Sequence, residues 1–302
     1  CLMFEALNIH LEEIMRKLFL LPMLLCACEY RKMSDSGQCS MRYDHGWMES
    51  TNQPIGSGLR AVLAIYDAAG NHPIEPDMVT TNDPTIIEVA SVDGNLIRVK
   101  GHIAGESKLD IATDHFNDQL SLSVRDIARA ELTGFRAVAE NAHPVAGAIL
   151  PVKRSLYAAD GTRLTGYGIE GLQLSETSTL IGDTEDEHLI IQFEAAGTET
   201  LNLYGDELRL DILSPQDVSR WHVESSSDKL RAGQSMPVSF YGETENGQQA
   251  LAHLRSESAA VCEVEPFLNS PDIYVVSGNS LGGCVLLNGI TGQTAIEIDI
   301  VE

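Results

Sequence analysis

A strict alternation of apolar residues recurs along this chain at a fixed interval, and it limits the fold more than any other feature. Leu120, Leu122 and Val124 alternate with polar neighbours, as do Leu208, Leu210 and Ile212, and then Ile296, Ile298 and Ile300. The interval from Leu120 to Leu208, and again from Leu208 to Ile296, is 88 residues. Period-2 spacing places every apolar side chain on one face of a strand. A unit of this length has the size of one seven-stranded sandwich, so the chain reads as a tandem array.

The turns repeat with the strands. Asp67-Ala68-Ala69-Gly70 recurs as Ala158-Ala159-Asp160-Gly161 and as Thr244-Glu245-Asn246-Gly247. A second glycine follows each time: Gly105 after 35 residues, Gly197 after 36 and Gly282 after 35. Each first turn is preceded by an apolar strand, over Leu59–Tyr66, Leu150–Tyr157 and Met236–Tyr241. After the N-terminal region no window sustains a 3.6-residue apolar stripe, so helix is expected to be minor.

Val79-Thr80-Thr81-Asn82-Asp83-Pro84-Thr85-Ile86-Ile87-Glu88-Val89, followed by Val99-x-Gly101 and Ala104-Gly105, resembles the group 2 bacterial immunoglobulin-like domain of intimin- and invasin-type adhesins. Leu230 to Ser235 and Val261-Cys262-Glu263-Val264 fit the same pattern in the third unit, and Gly161 with Ala196-Gly197 carries it more thinly through the second. The chain has Val79 and Leu254 where the family often has tryptophan. The resemblance implies three immunoglobulin-like β-sandwiches over 46–127, 128–215 and 216–302. It also implies spacer or adhesive roles, without naming a ligand.

Ahead of the sandwiches, Met15-Arg16-Lys17 precedes a ten-residue apolar run, Leu18–Ala27. A membrane-spanning helix needs about 20 residues, so length and cationic flank fit a secretory signal. Leu25-Cys26-Ala27-Cys28 resembles the lipobox of bacterial lipoproteins, which makes Cys28 the expected lipidation site and Met15 the natural start. Residues 1–27 are then leader and signal peptide, and polar residues 28–45 read as a flexible tether. Glu29, rather than aspartate, follows the cysteine and favours outer-membrane placement, on the periplasmic face or the cell surface. The expected attachment is to a membrane through the N-terminal lipid.

A net charge of −24, from 44 acids against 20 cations, repels phosphate backbones and speaks against nucleic-acid partners. An envelope or extracellular protein, or a glycan, remains the expected contact. Of six cysteines, Cys262 and Cys284 stand on apparent strands of one unit. They either form a disulfide in an oxidising envelope or remain as two buried thiols. Cys39 is left unpaired in the tether.

Gly278-Asn279-Ser280-Leu281-Gly282-Gly283 matches a nucleophile-elbow pattern. No histidine follows Ser280, and the repeat register already explains the glycines, so no catalytic residue is assigned. The nine histidines show no zinc spacing, and no metal site is expected from them. Asp114 to Asp118 and Asp183 to Glu187 are acidic clusters that either hold calcium or stay solvated. Neither has the spacing of an EF-hand loop. Trp221, Tyr241 and Tyr274 of the third unit form a candidate glycan platform, with core or interdomain packing the alternative for Trp221. The expected function is a non-enzymatic surface spacer, adhesion or protein-interaction module. The alternative is a glycan- or small-ligand-binding accessory lipoprotein.

Overall fold

The computed structural model describes residues 32–44, 53–135 and 142–302; Cys28 and the signal segment lie outside them. Strands dominate, and no α-helix occurs among the described residues. Their pairings follow one scheme three times.

In the first unit one sheet is ordered Cys39–Tyr43, Arg60–Asp67, Leu96–Gly101 and Ile87–Asp93, all antiparallel. The facing sheet is ordered Ile55–Gly56, Asn117–Arg125, Gly105–Ala112 and Met78–Thr81. We call Cys39–Tyr43 the lead strand and Arg60–Asp67 the long strand. Ile55–Gly56 is the crossover strand, because the chain changes sheets to reach it. It lies parallel to the closing strand, Asn117–Arg125.

The second unit repeats the first sheet as Arg129–Thr133, Ile149–Tyr157, His188–Phe193 and Ser178–Asp183. Its other sheet pairs Gly197–Leu203 with Asp206–Ile212, extended by a parallel bridge from Val145 to Leu213 and an antiparallel one from Gln173 to Asn202. The third unit has Val218–Ser225, Ser235–Thr244, Ile273–Gly278 and Cys262–Pro266 on one sheet. Lys229–Arg231, Thr294–Val301, Gly282–Asn288 and Leu254–Ser256 form the other. Four antiparallel strands facing a sheet whose first strand runs parallel to its last is the immunoglobulin-like arrangement.

The alternating residues fill the space between the sheets. Leu63, Ile65, Ile97 and Val99 meet Leu109, Ile111, Leu120, Leu122 and Val124, all at most 2% exposed. Burying each such side chain contributes about 1.5–3 kcal/mol.

The expected flexible tether is corrected over its described part. Residues 32–44 belong to the first sandwich: Lys32–Met33 and Cys39–Tyr43 form a hairpin that pairs with the long strand. Cys39 and Met41 are each 1% exposed, and the Cys39 thiol is free and buried. Composition hid this strand because cysteine, methionine and tyrosine, not branched aliphatics, supply its buried face.

After each long strand the chain turns tightly and pairs back on it through a short return segment. Asp67 N–H donates to His72, Ala158 N–H to Thr162 and Thr244 N–H to Gln248. The following residues, Pro73, Arg163 and Gln249, pair with the long strands at Tyr66, Tyr157 and Glu243.

Candidate functional site

The return segments of the second and third units join each to the unit before it. Thr165 of the second unit lies parallel to Ile55 on the crossover strand of the first. Gly56 N–H donates to the Thr165 carbonyl at 3.0 Å, and Thr165 N–H to the Pro54 carbonyl at 2.9 Å. Two residues on, Tyr167 and Arg60 exchange both main-chain bonds, at 2.8 and 2.9 Å. Gly166 between them has φ +123°, and a Cβ there would stand 2.8 Å from both the Arg60 carbonyl and the Leu59 side chain. Only glycine lets the two backbones approach this closely.

A buried ion pair holds this loop in shape. The Arg154 guanidinium, fully buried, donates to Asp183 Oδ1 from Nε at 2.9 Å and from Nη2 at 2.7 Å. Nη2 also donates to the Gly166 carbonyl at 2.7 Å. Asp183 Oδ2 accepts the N–H groups of Gly168 and Ile169 at 2.8 and 2.9 Å. The two charges thus face each other with Asp183 held through both oxygens and Arg154 through Nε and Nη2, while its buried Nη1 makes no hydrogen bond among the described residues.

The second junction uses the same edge with different chemistry. Ala142–Pro144 runs parallel to Gln249–Leu251 of the third unit, and Val145 N–H donates to the Leu251 carbonyl at 2.9 Å. His253 Nδ1 accepts the Ile149 N–H at 3.3 Å, which requires a neutral ring at that nitrogen. Burial, then the nearby Arg255 charge, pushes the His253 pKa down.

The third unit carries the equivalent corner. Gly58, Gly147 and Gly233 donate to Gly101, Phe193 and Gly278 respectively, so Gly56, Val145 and Arg231 occupy one structural position. Gly101 and Gly278 sit where that corner crosses: a Cβ on Gly278 would be 3.2 Å from the Arg231 carbonyl. Here Lys229–Arg231 is the edge of its sheet, paired only with the closing strand among the described residues. A shallow groove beside it is lined by Ser227, Leu230, Gln234, Met236 and Val301.

The residues singled out from sequence fare differently. Cys262 and Cys284 are bonded, with Cα atoms 5.7 Å apart, and tie the two sheets of the third unit together. The aromatic platform is corrected, because Tyr274 is 1% exposed and donates its hydroxyl to the Ala252 carbonyl at 2.7 Å inside the core. Trp221 stacks on Phe240 at 5.3 Å, partly buried against the same core. Tyr241, partly exposed like Trp221, stacks on His222 at 4.9 Å and alternates with the buried Phe240 and Gly242 along its strand.

Asp114 and Asp186 of the acidic clusters are solvent-exposed, whereas Asp183 and Asp118 are taken up by protein donors. Asp183 serves Arg154. Asp118 is 5% exposed and accepts the Ser34 hydroxyl with the N–H groups of Ser36 and Gln38, fastening the hairpin turn. Burial alone would raise its pKa, but the Ser34 and Ser36 donors outweigh that and hold the carboxyl well below the usual range. No cluster of three potential metal ligands occurs among the described residues. Ser280 donates its hydroxyl to the Ala260 carbonyl at 2.7 Å, a tie between two turns rather than a nucleophile aimed at a base.

No protein-family model matches the chain, and no curated protein sequence does. Among solved structures it is similar to FdeC, an adhesin of Escherichia coli, at 13% identity over 90% of this chain and 99% of that one, with a TM-score of 0.27. Invasin, a bacterial integrin-binding protein, follows at 13% identity over 87% and 60%, with a TM-score of 0.24. Domains 4–9 of the surface-layer protein SbsC give 14% identity over 86% and 47%, with a TM-score of 0.27. The chain thus spans about half of that last six-domain fragment. Its class is set by its own strand order: an all-β chain of tandem immunoglobulin-like sandwiches.

Proposed function

We propose that this chain is a lipid-anchored cell-envelope protein, held in the outer membrane through Cys28. In this reading its sandwiches are a non-catalytic spacer that presents an adhesion or protein-interaction face at the far unit. The observation that carries the reading is the construction of the junctions. Each unit bonds its neighbour main chain to main chain across a crossover strand, which suits an array that must hold its last unit away from its root. The lead hairpin, bonded to Asp118, extends that order to Lys32, close to the anchor.

Labelling cells with a radioactive fatty acid tests the root of the proposal. The wild-type chain is expected to take up label and sediment with membranes, and Cys28→Ser to do neither. Membrane attachment that survives the substitution, without label, would overturn the anchor. Unaltered cell-to-surface adhesion on deleting the chain would overturn the adhesive role.

A further inference from the structure

The edge Lys229–Arg231 matches two edges that are filled inside the same molecule. We propose that it is a socket for the return segment of another immunoglobulin-like sandwich, added parallel to it with an uncharged side chain opposite Leu230. The inference goes beyond the spacer reading and does not depend on the lipid.

Register fixes the geometry. Ile55 is opposite Thr165 and Pro144 is opposite Leu251, and Leu230 holds the equivalent place in the third unit. The incoming residues Thr165 and Leu251 are both fully buried by the contact. Gly56 and Val145 donate their N–H groups to those residues' carbonyls. Residues alternate their bonding sides along a strand, and Ala232 N–H is spent on the closing strand at Val301. Arg231 N–H therefore faces the groove, where an incoming carbonyl would lie.

The chain's own first return segment does not fit this socket. Its equivalent of Thr165 and Leu251 is Glu75, two residues after Pro73, as Thr165 is two after Arg163. Docking would press the exposed Glu75 carboxylate against Leu230, and Pro73 and Pro76 flank it. Charge and proline are the devices that blunt an exposed edge. The two elements are thus unlike: the first return segment is closed to docking, and the third unit's crossover edge is open among the described residues. The partner is another sandwich whose return segment is uncharged at that position, not a second copy of this chain.

The test uses the chain from Glu29 onward, which keeps every described strand and takes no lipid. Wild type is expected to sediment as a monomer across the accessible concentration range. A donor variant carries the second unit's segment in the first (Pro73→Arg, Glu75→Thr, Pro76→Gly, Asp77→Tyr) together with Arg231→Pro, which closes its own socket. Mixed with wild type, it is expected to form a one-to-one complex. Arg231→Pro in the wild-type partner removes the facing N–H and should weaken that complex at least tenfold, while its melting temperature stays within about 2 °C. A folded donor that forms no complex overturns the proposal. So does a complex indifferent to Arg231→Pro, or wild-type self-association through its unaltered first unit. A donor that melts early is replaced by Glu75→Thr with Arg231→Pro alone, judged by the same outcomes.

Discussion

The two junctions solve one problem in opposite ways. At the first, a fully buried guanidinium grips a loop and its carboxylate partner, and the apolar cores of the first two units run together into one cluster. At the second, a strand is shared, a neutral histidine accepts one N–H, and the third unit keeps a core of its own. Ile290 packs against both clusters, and Leu251 of the third unit is buried within the first of them. A backbone edge can thus be reused along an array while side-chain chemistry sets how firmly each neighbour is coupled.

Four measurements sharpen or break this contrast, beginning with the largest effect. Arg154→Met strands Asp183 without its counter-charge, and breaking a buried pair on one side costs about 3–5 kcal/mol. Calorimetry is expected to show the transition of the first two units falling while that of the third stays in place. An equal fall in both would mean that the junctions are not different in kind. Next, replacing Cys262 and Cys284 with serine releases a loop with a sequence separation of 22. The loss, about 3 kcal/mol by chain entropy, should fall on the third unit alone in a denaturant titration.

Gly289→Ala comes third. Its Cβ would stand 2.2 Å from His253 Nε2, so the ring must leave its place or the strand must shift. Overpacking of this kind costs about 1–3 kcal/mol. The change should appear as faster hydrogen exchange at Ile149, whose N–H loses its acceptor. A protected Ile149 amide would show that the ring accommodates the methyl.

The smallest effect is on pH dependence. His253 has a folded-state value below its ordinary one of 6.5, so the folded state prefers the neutral ring. Its contribution is complete above about 6.5 and is lost as pH falls from there toward the folded value. The buried His188, lowered chiefly by burial, works in the same direction within the second unit. His253→Asn supplies an acceptor that does not titrate. It should flatten the acid side of the third unit's stability profile and leave the slope from His188. An unchanged profile would remove the histidine from the account of the second junction.

Much of the sandwich was legible because period-2 alternation of branched aliphatics, as at Leu120 to Val124, admits few other folds. Tyr274 was misplaced by its aromatic character, although its alternation with Val276 pointed inward. The lead strand was not legible, since Cys39, Met41 and Tyr43 alternate correctly without looking apolar. The junctions were harder still. They are built from main-chain bonds, which leave no trace in residue type except at Gly166, and from Arg154 and Asp183, which resemble any surface pair until their burial is known.

The parallel placement of crossover and closing strands has a mechanical consequence. In each unit the chain passes through its lead strand and then reaches the crossover strand, which points the same way as the closing strand beside it. Tension between the root and the far end slides these two strands past each other, so their hydrogen bonds resist together instead of opening one after another.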